Sequence, residues 1–281
     1  MTTYREIPFN YTSADDRRAV SWMLGDEVWR SLEELRARRV TGRSARLLMR
    51  IFGEILVHRR NPFLYRELTD DPVRRHRLFR ALDADLRIIE ENAGREERVA
   101  AVTRACRKLL DEFRVEIAGR PRERRRIALA LAPIVGRENV LFDPFTLVCH
   151  ATDATDWRLC LPIAVVTPTE EHQVSPLLSA IEKLGLYAIP RGAGTGLTGG
   201  AIPLRPGCVM VNTERLDRIG GIQEQAFVQA DGRRVSAPVM SLEAGVITEH
   251  AMEVAQARGL VFATDPTSAW ASTIGGNIAE N

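Results

Sequence analysis

The chain has 281 residues, room for roughly two domains, and its 45% apolar and 27% charged composition fits a soluble globular protein and excludes a disordered or fibrous one. No run of about 18 apolar residues is present to span a membrane, and the opening MTTYREIPFNYTS lacks the apolar core of a secretory signal, so the expected location is cytoplasmic, with peripheral attachment at the inner membrane left open. The formal net charge of +2 hides an imbalance: residues 1–150 carry 30 Lys and Arg against 23 Asp and Glu, and residues 151–281 carry 9 against 14, so a +7 segment precedes a −5 segment.

Residues 13 to about 133 read as helices with short breaks. Ser13 and Asp16 suit a capping box, and Gly25 suits the stop of the helix that follows. Val28, Leu32 and Leu35 give the next helix one apolar stripe, and Leu48, Phe52 and Ile55 give another. Asp71-Pro72 opens a further helix with proline at its first position and Leu78, Leu82, Leu86 and Ile89 on one side. The longest pattern is Val99, Val102, Cys106, Leu109, Phe113 and Ile117, in steps of three and four. Faces of this kind bury themselves against one another.

Arg122, Arg124, Arg125 and Arg126 follow Arg120-Pro121 and raise the question of a nucleic-acid contact. Glu123 interrupts the run and no aromatic side chain suited to stacking on bases lies nearby, so a solvated helix face is expected and no nucleic-acid partner. Cys106, Cys149, Cys160 and Cys208 form no C-x-x-C pair and no spacing typical of zinc or an iron–sulfur cluster. Reduced, mostly buried thiols and no metal site are expected.

From Pro162 the pattern changes to alternating strands and helices. Ile163 to Val166 is a short apolar strand, and a helix follows from Thr169-Glu170-Glu171 with Val174, Leu177, Leu178 and Ile181, in which Pro176 marks a kink or a restart. Tyr187 to Ile189 and Cys208 to Val211 read as strands. Phe227-Val228 and Val239 to Leu242 suit a hairpin around Asp231-Gly232, and Ile247 to Arg258 a helix. The expected division is a helical, Arg-rich domain over residues 1–135 and an α+β domain over residues 136–281.

The strand at Tyr187 runs into IPRGAGTGLTGG, which places glycine at 192, 194, 196, 199 and 200. Glycine reaches positive φ at little cost, so successive N–H groups can turn inward and form a concave anion nest. Arg191 places a permanent positive charge beside it. Gly194, Gly196 and Gly199 have the spacing of a dinucleotide fingerprint, but that motif needs a helix after the third glycine, and Pro203 and Pro206 forbid one of useful length. No Gly-Lys-Ser/Thr follows, which excludes a nucleoside triphosphate loop. A second small-residue motif stands at GLVFATDPTSAWASTIGGNIAEN, residues 259–281, where Asp265 to Ser268 form a turn-prone cluster and Thr273, Gly275, Gly276 and Asn277 offer hydroxyl, bare backbone and amide to a flat ring.

Five segments in order, PIAVVTPTEEHQV, IPRGAGTGLTGGA, VMVNTERLDRI, SLEAGV and DPTSAWASTIGGNIAEN, with the lead-in PIVGRENVLFDPFTLVCHATDATDWR, resemble the FAD-linked oxidases typified by D-lactate, glycolate and D-2-hydroxyglutarate dehydrogenases. The resemblance covers about half the chain. It implies an N-terminal all-helical region followed by an incomplete FAD-binding domain of the PCMH type, α+β in class. It implies further that Pro190, Arg191, Gly192, Ala193, Gly194, Thr195, Gly196 and Leu197, with Gly199 and Gly200, line the FAD phosphates. Pro266, Thr267, Ser268, Thr273, Gly275, Gly276, Asn277 and Ala279 would border the flavin side, and Glu243 and Gly245 would be architectural. Some relatives attach FAD through a histidine in the first loop. No histidine stands between Leu184 and Gly200, so noncovalent FAD is expected.

The resemblance implies oxidation of a small 2-hydroxy acid by hydride transfer to FAD, with a downstream electron acceptor such as an iron–sulfur domain of a longer chain. The base and the carboxylate-holding cations of the family lie in a C-terminal substrate domain, which this sequence does not contain. No catalytic residue is therefore assigned: His172 and His250 sit in expected helices, and His150 stands in the lead-in. A fragment that is inactive alone is expected. The opening REIPFNYTSADDR and RVTGRSARLL resemble a helical region found ahead of the flavin domain in large bacterial fused oxidases. A reading of another class is a noncatalytic binding or regulatory scaffold built on the basic helical half.

Overall fold

The computed structural model describes residues 16–37, 42–92, 97–155 and 160–280. Six helices open the chain: α1 (Asp16–Leu24), α2 (Asp26–Ala37), α3 (Gly42–Arg60), α4 (Pro62–Asp70), α5 (Pro72–Asn92) and α6 (Glu97–Val135). The expected stop at Gly25 is present, with φ 93° and its amide donating to Ser21 O at 3.0 Å. Ser13, the other half of the expected capping box, lies outside the described residues. Asn61 caps α4 by accepting from the amides of Phe63 and Leu64 at 3.0 and 3.2 Å. Asp71 does the same for α5 with Val73 and Arg74, and those amides hold its carboxyl below the usual range.

The apolar stripes meet as expected. Leu32, Leu35, Leu48, Phe52, Ile55, Leu82, Leu86, Ile89, Val102, Leu110, Phe113 and Ile117 form one buried cluster. The Phe79 and Phe113 rings meet edge to face at 5.8 Å, and Arg59 lies 5.4 Å over Phe113.

α6 is longer than its periodicity implied, running 39 residues through Pro121 and Pro133. A proline inside a helix forfeits a backbone hydrogen bond. Here Arg120 braces the position from both sides, donating to Glu123 at 2.8 Å, lying 3.7 Å from Glu116 and donating to the Tyr65 hydroxyl at 2.8 Å. Beyond Pro121 the helix changes core. Ile127, Leu131 and Val135 pack with Val140, Ile163, Val166, Leu177, Ile181, Val209 and Val211, so α6 is shared by the helical half and the sheet half.

The second half contains β1 (Val140–Leu141), α7 (Pro144–Cys149), β2 (Ala164–Val166), α8 (Val174–Lys183), β3 (Tyr187–Arg191), β4 (Cys208–Asn212), β5 (Ile219–Val228), β6 (Arg234–Leu242), α9 (Thr248–Gln256) and α10 (Ile274–Glu280). Four strands form a sheet in the order β1-β2-β4-β3, in which β2, β4 and β3 are parallel and β1 is antiparallel. Alternation along the strands divides the side chains: Ala164, Val166, Val209 and Val211 face α6 and α8, while Val165 and Met210 face Leu147 of α7. The helix expected from Thr169-Glu170-Glu171 opens as a 3-10 turn over Glu171–Gln173 and restarts as α8 at Val174, which puts Pro176 in the first turn of α8, where an amide has no partner within the helix. A separate hairpin of β5 and β6 turns at Gly232, φ 84°, and is longer than its apolar ends suggested because Gln223, Glu224, Gln225 and Ser236 pair within it.

Candidate functional site

β3 and β4 are parallel, so both end at the same edge of the sheet, and the glycine loop starts there. Pro190 fits because β3 is an edge strand, and its missing N–H would have faced away from β4. From Gly192 to Gly200 no backbone amide donates a hydrogen bond to another described residue. Nine consecutive amides without an internal acceptor are costly unless solvent or a ligand takes them.

The loop has no room for side chains on its inner side. A Cβ at Gly192 would collide with the Thr273 side chain, and one at Gly194, where φ is 72°, would collide with the Arg191 guanidinium. The first contact brings the two glycine-containing motifs together. Gly199 is buried with φ 75°, Ala193, Thr195 and Gly196 are half-buried, and Leu197 is 76% exposed.

Arg191 does not present a free guanidinium. It donates to the carbonyls of Thr152 at 2.5 Å, Ala201 at 3.1 Å and Cys149 at 3.3 Å, tying the start of the loop to its end and to the segment after α7. Its charge still lies directly beneath Gly194. Glu280, which the sequence did not single out, reaches the same loop. Its carboxylate accepts from the Thr198 hydroxyl at 2.8 Å and lies where Cβ atoms at Gly196 and Gly200 would stand 3.3 and 3.2 Å from it.

The second motif is braced largely by its own backbone. The Ala269 amide donates to Pro266 O at 2.9 Å and the Ser272 amide to Ser268 O at 2.7 Å, while Thr267 is exposed. Thr273 bridges to Ile247, Ile274 donates to Val246 O at 2.9 Å, and Gly275 donates to Ala244 O at 2.8 Å. A Cβ at Gly275 would meet Ala244 at 2.8 Å. Asn277 donates its amide to the Thr248 hydroxyl at 2.6 Å and so locks α10 to α9. Gly276 is half-buried beside Thr273, and Ala279 is exposed near the end of α10. Gly245, as the family pattern implied, is architectural: a Cβ there would strike the backbone of Thr213 and Glu214.

At the end of β4, Asn212 donates to Nε2 of His150 at 2.8 Å and to Glu214 at 2.9 Å. Nδ1 of His150 lies 2.8 Å from the carbonyl of Thr146, which only accepts, so Nδ1 carries the proton and the Nε2 lone pair is taken by Asn212. Burial pushes the His150 pKa down, Thr146 opposes it and Arg191 adds to it. Both ring nitrogens are therefore engaged, Nδ1 by Thr146 and Nε2 by Asn212. Among the described residues no cluster suits a metal ion, and no helix is long and apolar enough to cross a membrane. None of the four cysteines is in a disulfide. Cys106 and Cys208 are buried, with Cys106 pushed up to about 12 by desolvation, whereas Cys149 is exposed and Cys160 half-buried, so burial is less general than expected.

Known proteins resemble the two halves separately. Residues 162–281 match the FAD binding domain family, and residues 2–115 match a family described as a protein of unknown function (DUF3683). Glycolate oxidase subunit GlcD of Escherichia coli (strain K12) is 30% identical over 173 residues, 62% of this chain and 32% of that protein. The Bacillus subtilis (strain 168) subunit of the same name is 30% identical over 54% of this chain and 30% of its own length. D-lactate dehydrogenase of Archaeoglobus fulgidus is 34% identical over 42% of this chain and 23% of its own. The chain spans about a third or less of the length of these relatives.

Proposed function

We propose, from the premise that residues 162–281 are an FAD-binding domain of the FAD-linked oxidase family, that the loop from Pro190 to Gly200 holds the FAD diphosphate. The observation that carries this reading is the row of amides from Gly192 to Gly200 without acceptors among the described residues, set against Thr273. An N–H donated to a charged oxygen is worth roughly 1.5–3 kcal/mol, so a few of them suffice for firm binding. Arg191 shapes the loop from below and adds its charge at short range without itself being the ligand. Thr273, Gly275 and Gly276 supply the small surface beside the loop, and Asn277 fixes its position through Thr248. Pro266, Thr267, Ser268 and Ala279 complete the flavin side.

The bound cofactor supplies the ring that accepts a hydride from the α-carbon of a 2-hydroxy acid of the D-lactate or glycolate type. The names of the relatives support that substrate class. The base and the carboxylate-binding cations are assigned to no residue of this chain, and a separate acceptor takes the electrons. The 281-residue chain alone accordingly does not turn over.

Titrating the chain with FAD and following flavin fluorescence tests the loop. Gly194→Asp places a carboxylate in the nest and a side chain against Arg191. Its FAD affinity should fall at least about 100-fold with helical content unchanged, an effect of roughly 2.7 kcal/mol. Equal FAD affinity of the two proteins would remove the loop from the cofactor site.

A further inference from the structure

A cavity of about 650 Å³ lies between the helical half and the sheet, bounded by α1, α3, α4 and α6 on one side and by residues 160–163 and 206–207 on the other. Residues 163 and 207 immediately precede β2 and β4, so the cavity stands at the end of the parallel strands opposite the glycine loop. Its size falls within the range of small-molecule pockets, roughly 300–1,000 Å³.

Apolar side chains contribute to its lining: Trp22, Met23 and Leu161 are half-buried, whereas Leu56, Leu109, Leu147 and Ile163 are buried. The charged side chains that line it are Arg59, Arg60, Arg120 and Arg124 with Glu112, Glu116 and Glu123, an excess of one positive charge. Most of these charges are matched. Glu116 takes Arg59 at 2.8 Å and the Tyr65 hydroxyl at 2.9 Å, and Arg120 is held by Glu123 and Tyr65.

Arg124 is the exception. Its side chain is only 18% exposed and makes no hydrogen bond to a described residue, and its nearest carboxylate, Asp70, lies 3.6 Å away. Asp70 is already committed to Arg66 at 3.0 Å and to the Thr69 hydroxyl at 3.0 Å. Burial pulls the Arg124 pKa down, Asp70 opposes this, and Arg66 and Arg120 add to it. A guanidinium with five donors, poorly neutralised and lining the same cavity as Trp22, Met23 and Leu161, matches a planar anion with an apolar body.

We propose that this cavity is a binding site for an aliphatic carboxylate, whose head pairs with Arg124 and whose chain lies against Trp22, Met23 and Leu161. The head alone would leave Met23 and Leu161 half-exposed, and an uncharged chain would leave Arg124 with only its long contact to the shared Asp70 carboxylate. Because its walls come from both halves, an occupant fastens the helical half to the sheet half. The site is independent of the flavin reading, and its occupancy can be measured without FAD.

Isothermal titration calorimetry of the whole chain with decanoate tests the proposal, with decanol as the headless probe. Saturable one-to-one binding of decanoate is expected, with decanol at least about tenfold weaker and Arg124→Met reducing decanoate affinity at least about tenfold, the loss of a charge-assisted pair. Leu161→Trp, which fills the apolar side and leaves Arg124 in place, should also weaken binding at least about tenfold, and it remains informative if Arg124→Met misfolds. No binding of decanoate, equal binding of decanol, or affinity unchanged by either substitution would overturn the assignment.

Discussion

The helical half and the sheet half are specified in opposite ways. In the first, large side chains define the structure: Phe52, Phe113, Leu82, Leu86 and Ile117 fill one continuous core. In the second, the defining contacts are those where a side chain is missing. Gly192 admits Thr273, Gly194 admits Arg191, Gly245 admits the Thr213 carbonyl and Gly275 admits Ala244. A core of this first kind tolerates some repacking because volume is what matters. Backbone close to side chain or backbone has no such latitude, and it leaves amides open to a ligand.

The strongest test of this contrast is Phe113→Ala. The residue is fully buried between Phe79 and Arg59, and truncation there should cost about 3–5 kcal/mol. Native-state hydrogen exchange should show the loss in α3, α5 and the first half of α6, with FAD affinity unchanged. α6 gives the comparison a point of failure, because it also carries Ile127, Leu131 and Val135 into the other core. Equal loss of protection in β2 and β4 would mean that the two halves unfold as one unit.

Gly245→Ala probes the sheet half in the reverse sense, by adding one methyl group. Its φ lies outside the left-handed region, so the cost is steric: the new Cβ must displace the backbone at Thr213 and Glu214. An effect of about 3 kcal/mol, at the upper end for overpacking, is expected. Thermal unfolding followed by far-UV circular dichroism measures it. A change below about 0.5 kcal/mol would show that the turn after β4 yields easily and that close approach is not what fixes this half.

The same contrast decides what the sequence revealed. Stripes such as Leu78, Leu82, Leu86 and Ile89 announce a helix through repetition, and the structure places Leu82, Leu86 and Ile89 in the core. α4 passed unread although Asn61-Pro62 is a sound start, because nine residues hold too few turns to display a period. The β5–β6 hairpin was legible only at its ends, since its middle pairs polar residues with no core behind them. The glycine loop and the Thr273 segment were visible as composition and resemblance. The anchoring of Arg191 on the carbonyls of Cys149, Thr152 and Ala201 was not, because backbone acceptors look alike in every sequence. The contact of Glu280 with Thr198 spans 82 positions and had no local signal either.

The smallest expected effect separates glycines that shape the protein from one that does not. Gly53 lies inside α3, its φ is helical, and a Cβ there would meet nothing within 4 Å. Gly53→Ala should therefore stabilise the protein by about 0.5–1 kcal/mol, through the lower backbone entropy of the unfolded chain and the better helix propensity of alanine. The same substitution thus carries opposite signs at Gly53 and Gly245. Chemical denaturation of both variants measures the pair, with similar slopes indicating the same surface exposed on unfolding. Destabilisation by Gly53→Ala would mean that α3 needs flexibility at that turn, and that backbone freedom also shapes the half assigned here to side-chain packing.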